Sequence, residues 1–372
     1  MLALHDLVEM QRKLSDASVL SVYIAAEEHD PTERSSWRMR LTAQLDRQEQ
    51  ELEGDVRDAF RAARRLLENE LQPYRGFLPG RGWVAFVTPE RVWHCEEVPA
   101  PMPDLVRWRE GILIGPYLRA LKQSRPVMLV LIDRRRARLL RYESGALTEL
   151  VDHRADEFID DLTDRNMSKR AAAHSGVRGE TATDAAERIL RLESERLLRF
   201  VVGELNIAGD VLVVLGGPTR SVAALEKQLE PEAGDRLQVE PALHLTMSAA
   251  EIQPLLESAV SRLTQRLQQS AVRQVMDAAG AGGLGTLGIE ATAAAAVLGQ
   301  IDRLLLTTRF VAEDEERAER LIAQALDHAA TVELMTDEAG ALLEESGGGV
   351  GAVLRFATPR VLAASDTGAR EG

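Results

Sequence analysis

The chain has 372 residues, 45% of them hydrophobic and 28% charged, with a formal net charge of -14 at pH 7 and a single cysteine, Cys95. That balance excludes a disordered chain and a disulfide-built scaffold, and an acidic surface repels nucleic-acid phosphate, so any such contact must be local. No apolar run approaches the roughly 18 to 20 residues that span a bilayer, and the N-terminus MLALHDLVEMQRKL lacks a basic region followed by an apolar core, so a cytoplasmic protein without membrane contact is expected.

A chain of this length is expected to hold two or three compact units of about 100 to 150 residues each. The first is expected over residues 1–123 as an N-terminal α/β domain. Its Val19–Ala25 run is β-branched and apolar, and a charged helical segment follows from Thr32 to Leu71, with Gly54 as an interruption. Trp83–Val87 and Val92–Val98 read as a hairpin. His94 and Cys95 stand together, but no second pair completes a metal set, so they are read as structural.

Residues 124–279 are expected to form a layered α/β domain. Val127–Ile132 and Asp210–Leu215 are continuous apolar runs, the signature of strands buried on both faces. Between and after them fall strands at Arg138–Tyr142, Ala146–Val151 and Leu237–Val239, and helices at Thr219–Leu229 and from Ser248 to about Ala278. Gly216-Gly217-Pro218-Thr219-Arg220 lacks P-loop spacing and reads as a strand-to-helix turn. The Gly280–Gly288 stretch, GAGGLGTLG, formally contains G-x-G-x-x-G, yet a helix rather than a strand precedes it, so it is expected to be a flexible linker and no dinucleotide or other cofactor is implied.

Residues 289–360 alternate helix and strand as an α-β-α sandwich: helices at Glu290–Leu298, Glu315–His328 and Asp337–Glu345, and strands at Arg303–Leu306, Thr331–Met335 and Val350–Phe356. Residues 361–372 are small and polar, and a disordered tail is expected there.

Candidate function concentrates in one stretch. Between Arg165 and Gly179 stand Arg165, Lys169, Arg170, Arg178 and His174 with no carboxylate, a local reversal of sign in an acidic protein. A helix is expected behind it from Thr183 or Asp184, with Leu197, Leu198, Val201 and Val202 on its apolar stripe. Gly176 and Gly179 permit unusual backbone angles, and arginines suit phosphate. A second basic cluster, Arg134, Arg135 and Arg136, follows the first strand of the middle domain. The histidines are dispersed outside metal-ligand spacing, and no G-x-S-x-G elbow occurs, so neither a metal site nor a serine nucleophile is read.

The order of units, the basic loop before a long helix and the closing ELMTDEAGALLEESGGGVGAVLRF resemble the archaeo-eukaryotic peptide-chain release factors, and more closely the bacterial branch of that superfamily, which includes release, rescue and hibernation factors. The resemblance implies a ribonuclease-H-like middle domain, ribosomal or transfer RNA as the partner of Arg165, Lys169, Arg170, His174, Gly176, Arg178 and Gly179, and a translational GTPase such as elongation factor Tu on the third domain. In release factors the loop carries Gly-Gly-Gln, whose glutamine orders water at the peptidyl-tRNA ester. Here the matching residues read His174-Ser175-Gly176-Val177-Arg178-Gly179-Glu180-Thr181, without a glutamine. The expectation is therefore a non-enzymatic, ribosome-associated translation factor of rescue or hibernation, a stress-response role exercised by A-site binding. The alternatives are a peptidyl-tRNA hydrolase with a divergent loop, and a stress-related adaptor whose basic loop binds protein.

Overall fold

The computed structural model describes residues 1–26, 36–154, 195–205, 207, 210–280 and 283–356. Three sheets organise them, one per expected unit, and the chain is α/β as its sequence predicts.

In the first unit, α1 (Leu4–Leu14) precedes β1 (Ser18–Ala25), and α2 (Ser36–Gln50) and α3 (Gly54–Leu71) lead to β2 (Gly82–Val87), β3 (Val92–Val98) and β4 (Leu105–Glu110). The sheet order is β3-β2-β1-β4, antiparallel throughout. Strand alternation sends Leu20, Val22 and Ile24 to one face, where Trp37, Leu41, Phe60 and Leu67 of α2 and α3 cover them. Gly54 opens α3 at φ +55°, which explains the break between the two helices.

The middle unit begins after α4 (Gly115–Gln123) with β5 (Val127–Ile132), β6 (Arg136–Glu143) and β7 (Ala146–Arg154); later come β8 (Leu212–Gly216), α5 (Thr219–Ala233), β9 (Leu237–Val239) and α6 (Ala249–Gly280). The strands lie β7-β6-β5-β8-β9, with β6 antiparallel to β5 and β8 and β9 parallel to it. Third, second, first, fourth, fifth with only the second reversed is the ribonuclease-H-like arrangement that the resemblance implies. Both faces of β5 are covered. Met128 and Val130 meet α5 and the helical residues 195–204, whereas Val127 and Leu129 meet Ile252, Leu256 and Leu263 of α6.

In the third unit β10 (Gly285–Leu287), α7 (Ile289–Val297), β11 (Ile301–Thr307), α8 (Thr308–Glu313), α9 (Glu315–Asp327), β12 (Thr331–Met335), α10 (Asp337–Gly347) and β13 (Val350–Leu354) build a sheet of order β10-β13-β11-β12. It is the expected α-β-α sandwich, with α7 and α9 on one face and α10 on the other. Gly348 ends α10 in the left-handed region at φ +59°, and Gly349 follows at +86°; these turn the helix into β13.

Two expectations about the joints need correction. The Gly280–Gly288 stretch is not a free linker where it is described: Gly280 is the last residue of α6, and Gly285–Leu287 form β10, paired with Gly351–Val353 of β13. A Cβ on Gly285 would lie 2.5 Å from the backbone nitrogen of Ala279, so Gly285 serves close packing rather than a hinge. Nor is the boundary at 279 a break in the structure, because α6 serves two cores. Its Ile252, Leu256 and Leu263 pack on the middle sheet, and its Ala271, Val272 and Val275 pack on Leu305, Met335 and Leu343 of the third unit.

The first and third units also share a core. Leu7, Leu14, Ile114, Tyr117 and Leu118 lie in one apolar cluster with Leu304, Leu321, Ile322 and Leu326. No residue pattern in either segment separates this surface from the interior of its own unit.

Candidate nucleic-acid interface

Strand direction brings the basic groups of the middle unit to one end of its sheet. The parallel strands β5 and β8 finish at Ile132 and Gly216, and β7, antiparallel to β6, finishes at Arg154 directly opposite Arg136. The Asp133–Arg136 turn, Arg154 and the Gly217-Pro218-Thr219-Arg220 turn therefore crowd the carboxyl ends of the parallel strands, where open α/β sheets form ligand crevices. The residues of the long basic loop follow Arg154 in the chain, and the helical residues 195–204 return it to the sheet with Leu197, Leu198 and Val201 buried and the ring of Phe200 stacked on His153 at 4.4 Å.

Asp133 shapes the first turn. Its Oδ1 accepts from the backbone N–H of Arg135 at 2.7 Å and of Arg136 at 2.8 Å, an Asx turn that displays the exposed side chains of Arg134 and Arg135 at the sheet's end. Arg134 forms no ion pair among the described residues.

Arg136 is differently placed. Its guanidinium grips Asp152 with two bonds of 2.7 Å, and that pairing holds the Asp152 carboxyl below its ordinary range. Arg138 likewise forks onto Glu149 and donates to the carbonyls of Leu245 and Met247, pinning the segment before α6. Carboxylates on β7 thus neutralise these two arginines across the strand pair, whereas the Arg134 side chain stays exposed at the turn. Arg165, Lys169, Arg170, His174, Gly176, Arg178 and Gly179 lie outside the described residues.

The glycines after β8 are there for packing. Gly217 has φ +132°, and a Cβ on it would stand 2.0 Å from the carbonyl oxygen of Ile132, so only glycine lets the two strand ends come together. The helix α5 then starts at Thr219, with Thr219 and Arg220 exposed. Arg154 escaped the sequence reading and Arg220 entered it only as part of a strand-to-helix turn, because isolated arginines carry no signal until strand order makes them neighbours. Replacing Arg134 and Arg135 together by glutamine is expected to lower the log-log salt slope of RNA binding by up to about two units with unchanged thermal stability. Titration of the variant against ribosomal RNA at several salt concentrations measures it.

The histidine and cysteine of β3 are structural. Burial pushes the Cys95 thiol up to about 12 and lowers His94, whose Nε2 lies 2.9 Å from Glu96 Oε1. Among the described residues no group of acidic, histidine and cysteine side chains could hold a metal ion, and no helix is long and apolar enough to cross a membrane.

Neither a family model nor a curated relative matches the chain. Among solved structures it is similar to Dom34 of S. cerevisiae, a translation termination-like factor involved in RNA quality control pathways and interacting with Hbs1, at 12% identity and a TM-score of 0.43. That match covers 63% of this chain and 64% of the Dom34 chain, so the chain spans less than two thirds of that neighbour. It is similar to ribosome-bound archaeal Pelota, at 14% identity and a TM-score of 0.37 over 95% of this chain and 94% of that one. A third similarity is to the archaeal translation termination factor aRF1, at 16% identity and a TM-score of 0.26 over 95% of this chain and 99% of that one.

Proposed function

We propose that this chain is a ribosome-associated translation factor of release-factor type, without peptidyl-tRNA hydrolase activity, that acts in ribosome rescue or hibernation by occupying the A site. One observation carries the reading: the carboxylate-free segment from Arg165 to Gly179 places four fixed cations in a chain of net charge -14. Arg134 and Arg154 add exposed positive charge at the carboxyl end of the middle sheet, where β7 ends ahead of that segment in the chain. Such a local field on an acidic protein favours a structured polyanion, which positions phosphate on a few arginines and excludes indiscriminate binding.

The order of an α/β first unit on an antiparallel sheet, a ribonuclease-H-like second and an α-β-α third agrees with the layout of the superfamily the sequence resembles. By the same resemblance the third unit engages a translational GTPase, elongation factor Tu in a bacterial setting.

The chemistry argues against hydrolysis. The residues matching Gly-Gly-Gln contain no side-chain amide, and Glu180 beside RNA phosphates is an unfavourable base. The full-length protein is expected to co-sediment with ribosomes in sucrose gradients and to leave a ribosome-bound peptidyl-tRNA intact. Absence from ribosomal fractions of both growing and starved cells removes the proposal. Peptide release at the rate of a bacterial release factor, lost on mutating the loop, establishes the hydrolase instead.

A further inference from the structure

The contact between the first and third units is closed by a buried carboxyl. Glu319, on α9 of the third unit, is 2% exposed. Its Oε2 accepts the backbone N–H of Ile114 at 2.7 Å, and its Oε1 accepts that of Gly115 at 2.8 Å. Those two amides belong to the first turn of α4, so a side chain from one unit caps a helix of the other. A Cβ on Gly115 would lie 2.7 Å from Glu319 Oε1, so a larger residue there would push the carboxyl aside. Arg12 to Asp327 at 3.1 Å and Arg107 to Glu315 at 2.7 Å flank the contact at its exposed rim.

The carboxyl has no counterion in hydrogen-bond reach among the described residues. The charged and titratable groups that face it are Tyr23 from β1, Arg109 from β4 and Glu315 from its own helix. Tyr23 spends its hydroxyl on the carbonyl of Leu113, and Arg109 donates to the carbonyl of Glu110. On α4, the Tyr117 hydroxyl is turned to Glu96.

We propose that Glu319 is a proton-sensitive clasp that holds the third unit on the first when its carboxyl is neutral and loosens the contact when it ionises. Burial raises this carboxyl to about 7 from an ordinary 4.5, and the two N–H bonds and Arg109 draw it only part of the way back. A carboxyl raised in the closed state binds more protons there than in the open state. The contact is therefore firmest below about 4.5 and weakens as pH rises through about 7. The device is independent of what the chain binds, since it acts on the arrangement of its own units.

Hydrogen exchange of the full-length protein tests it. Between about pH 5.5 and about pH 8, after correction for intrinsic exchange, protection of the Ile114 and Gly115 amides falls roughly 25-fold, while that of Leu129 and Val130 in the middle sheet stays level. Glu319→Gln removes the slope. Level protection at Ile114 and Gly115 in the wild type overturns the clasp, as does a fall shared equally by Leu129 and Val130, or a wild-type slope in Glu319→Gln. If the variant does not fold, the wild-type profile against its reference amides decides alone.

Discussion

Replacing Arg165, Lys169, Arg170 and Arg178 together by alanine is expected to cut ribosome association and flatten its dependence on salt, leaving thermal stability at the wild-type value. Each phosphate neutralised by a cation releases condensed counterion, so four lost contacts remove roughly three to four units of log-log slope. Between about 50 and about 200 mM salt this amounts to a roughly 100-fold difference in how far affinity falls. Stability is spared because none of the four belongs to an apolar pattern that the sequence sends to a core. The measurement is co-sedimentation with purified ribosomes at stepped salt for the wild-type and quadruple-variant proteins. Equal affinities and equal slopes would make the loop a solvated insertion, and the proposed function would lose its principal support. Comparison with the Arg134 and Arg135 double variant separates the contribution of the loop from that of the turn at the sheet's end.

The second large effect is on folding. Gly217→Ala is expected to destabilise the chain by roughly 3 kcal/mol, because a methyl group would have to stand where the Ile132 carbonyl approaches and at a backbone angle L residues avoid. Gly348→Ala supplies the control. Gly348 also has positive φ, at +59°, but a Cβ there meets nothing within 4 Å, so only the conformational cost of about 1 kcal/mol remains. The excess of the first over the second, read from denaturant midpoints of the full-length variants, is the steric share. Equal losses at the two sites would mean that the ends of β5 and β8 can separate to admit a side chain.

Individual elements were legible in the sequence wherever one face of a segment had a uniform fate. Val127–Ile132 is apolar without alternation and is buried along its whole length between two helical layers. Thr331–Met335 and Leu237–Val239 fall where the residue pattern puts them. Three of the elements that escaped lack such a pattern. Leu105–Glu110, LVRWRE, is an edge strand with charges at Arg107, Arg109 and Glu110; Gly285–Leu287 is three residues long and glycine-flanked; Thr308–Glu313 is a single short helix, capped by the Thr307 hydroxyl. Pairing with a neighbour stabilises both strands, and a neighbour is invisible to local periodicity.

The candidate interface divides the same way. Composition and position alone pointed to a basic turn at Arg134–Arg136, since charge is a property of residues. Which of those charges remain for a ligand was a tertiary matter: β7 delivers Asp152 to Arg136 and Glu149 to Arg138, and strand order sets Arg154 beside the turn. The α/β class, the three units and the basic segment could all be read from residue order, because apolar period and net charge are local quantities. That α6 serves two cores, that the first and third units share one, and that Glu319 caps a helix 204 residues away in the chain came from long-range packing. Burial and pairing are settled by what lies on the far side of a contact, and a residue's own neighbours in sequence do not specify that.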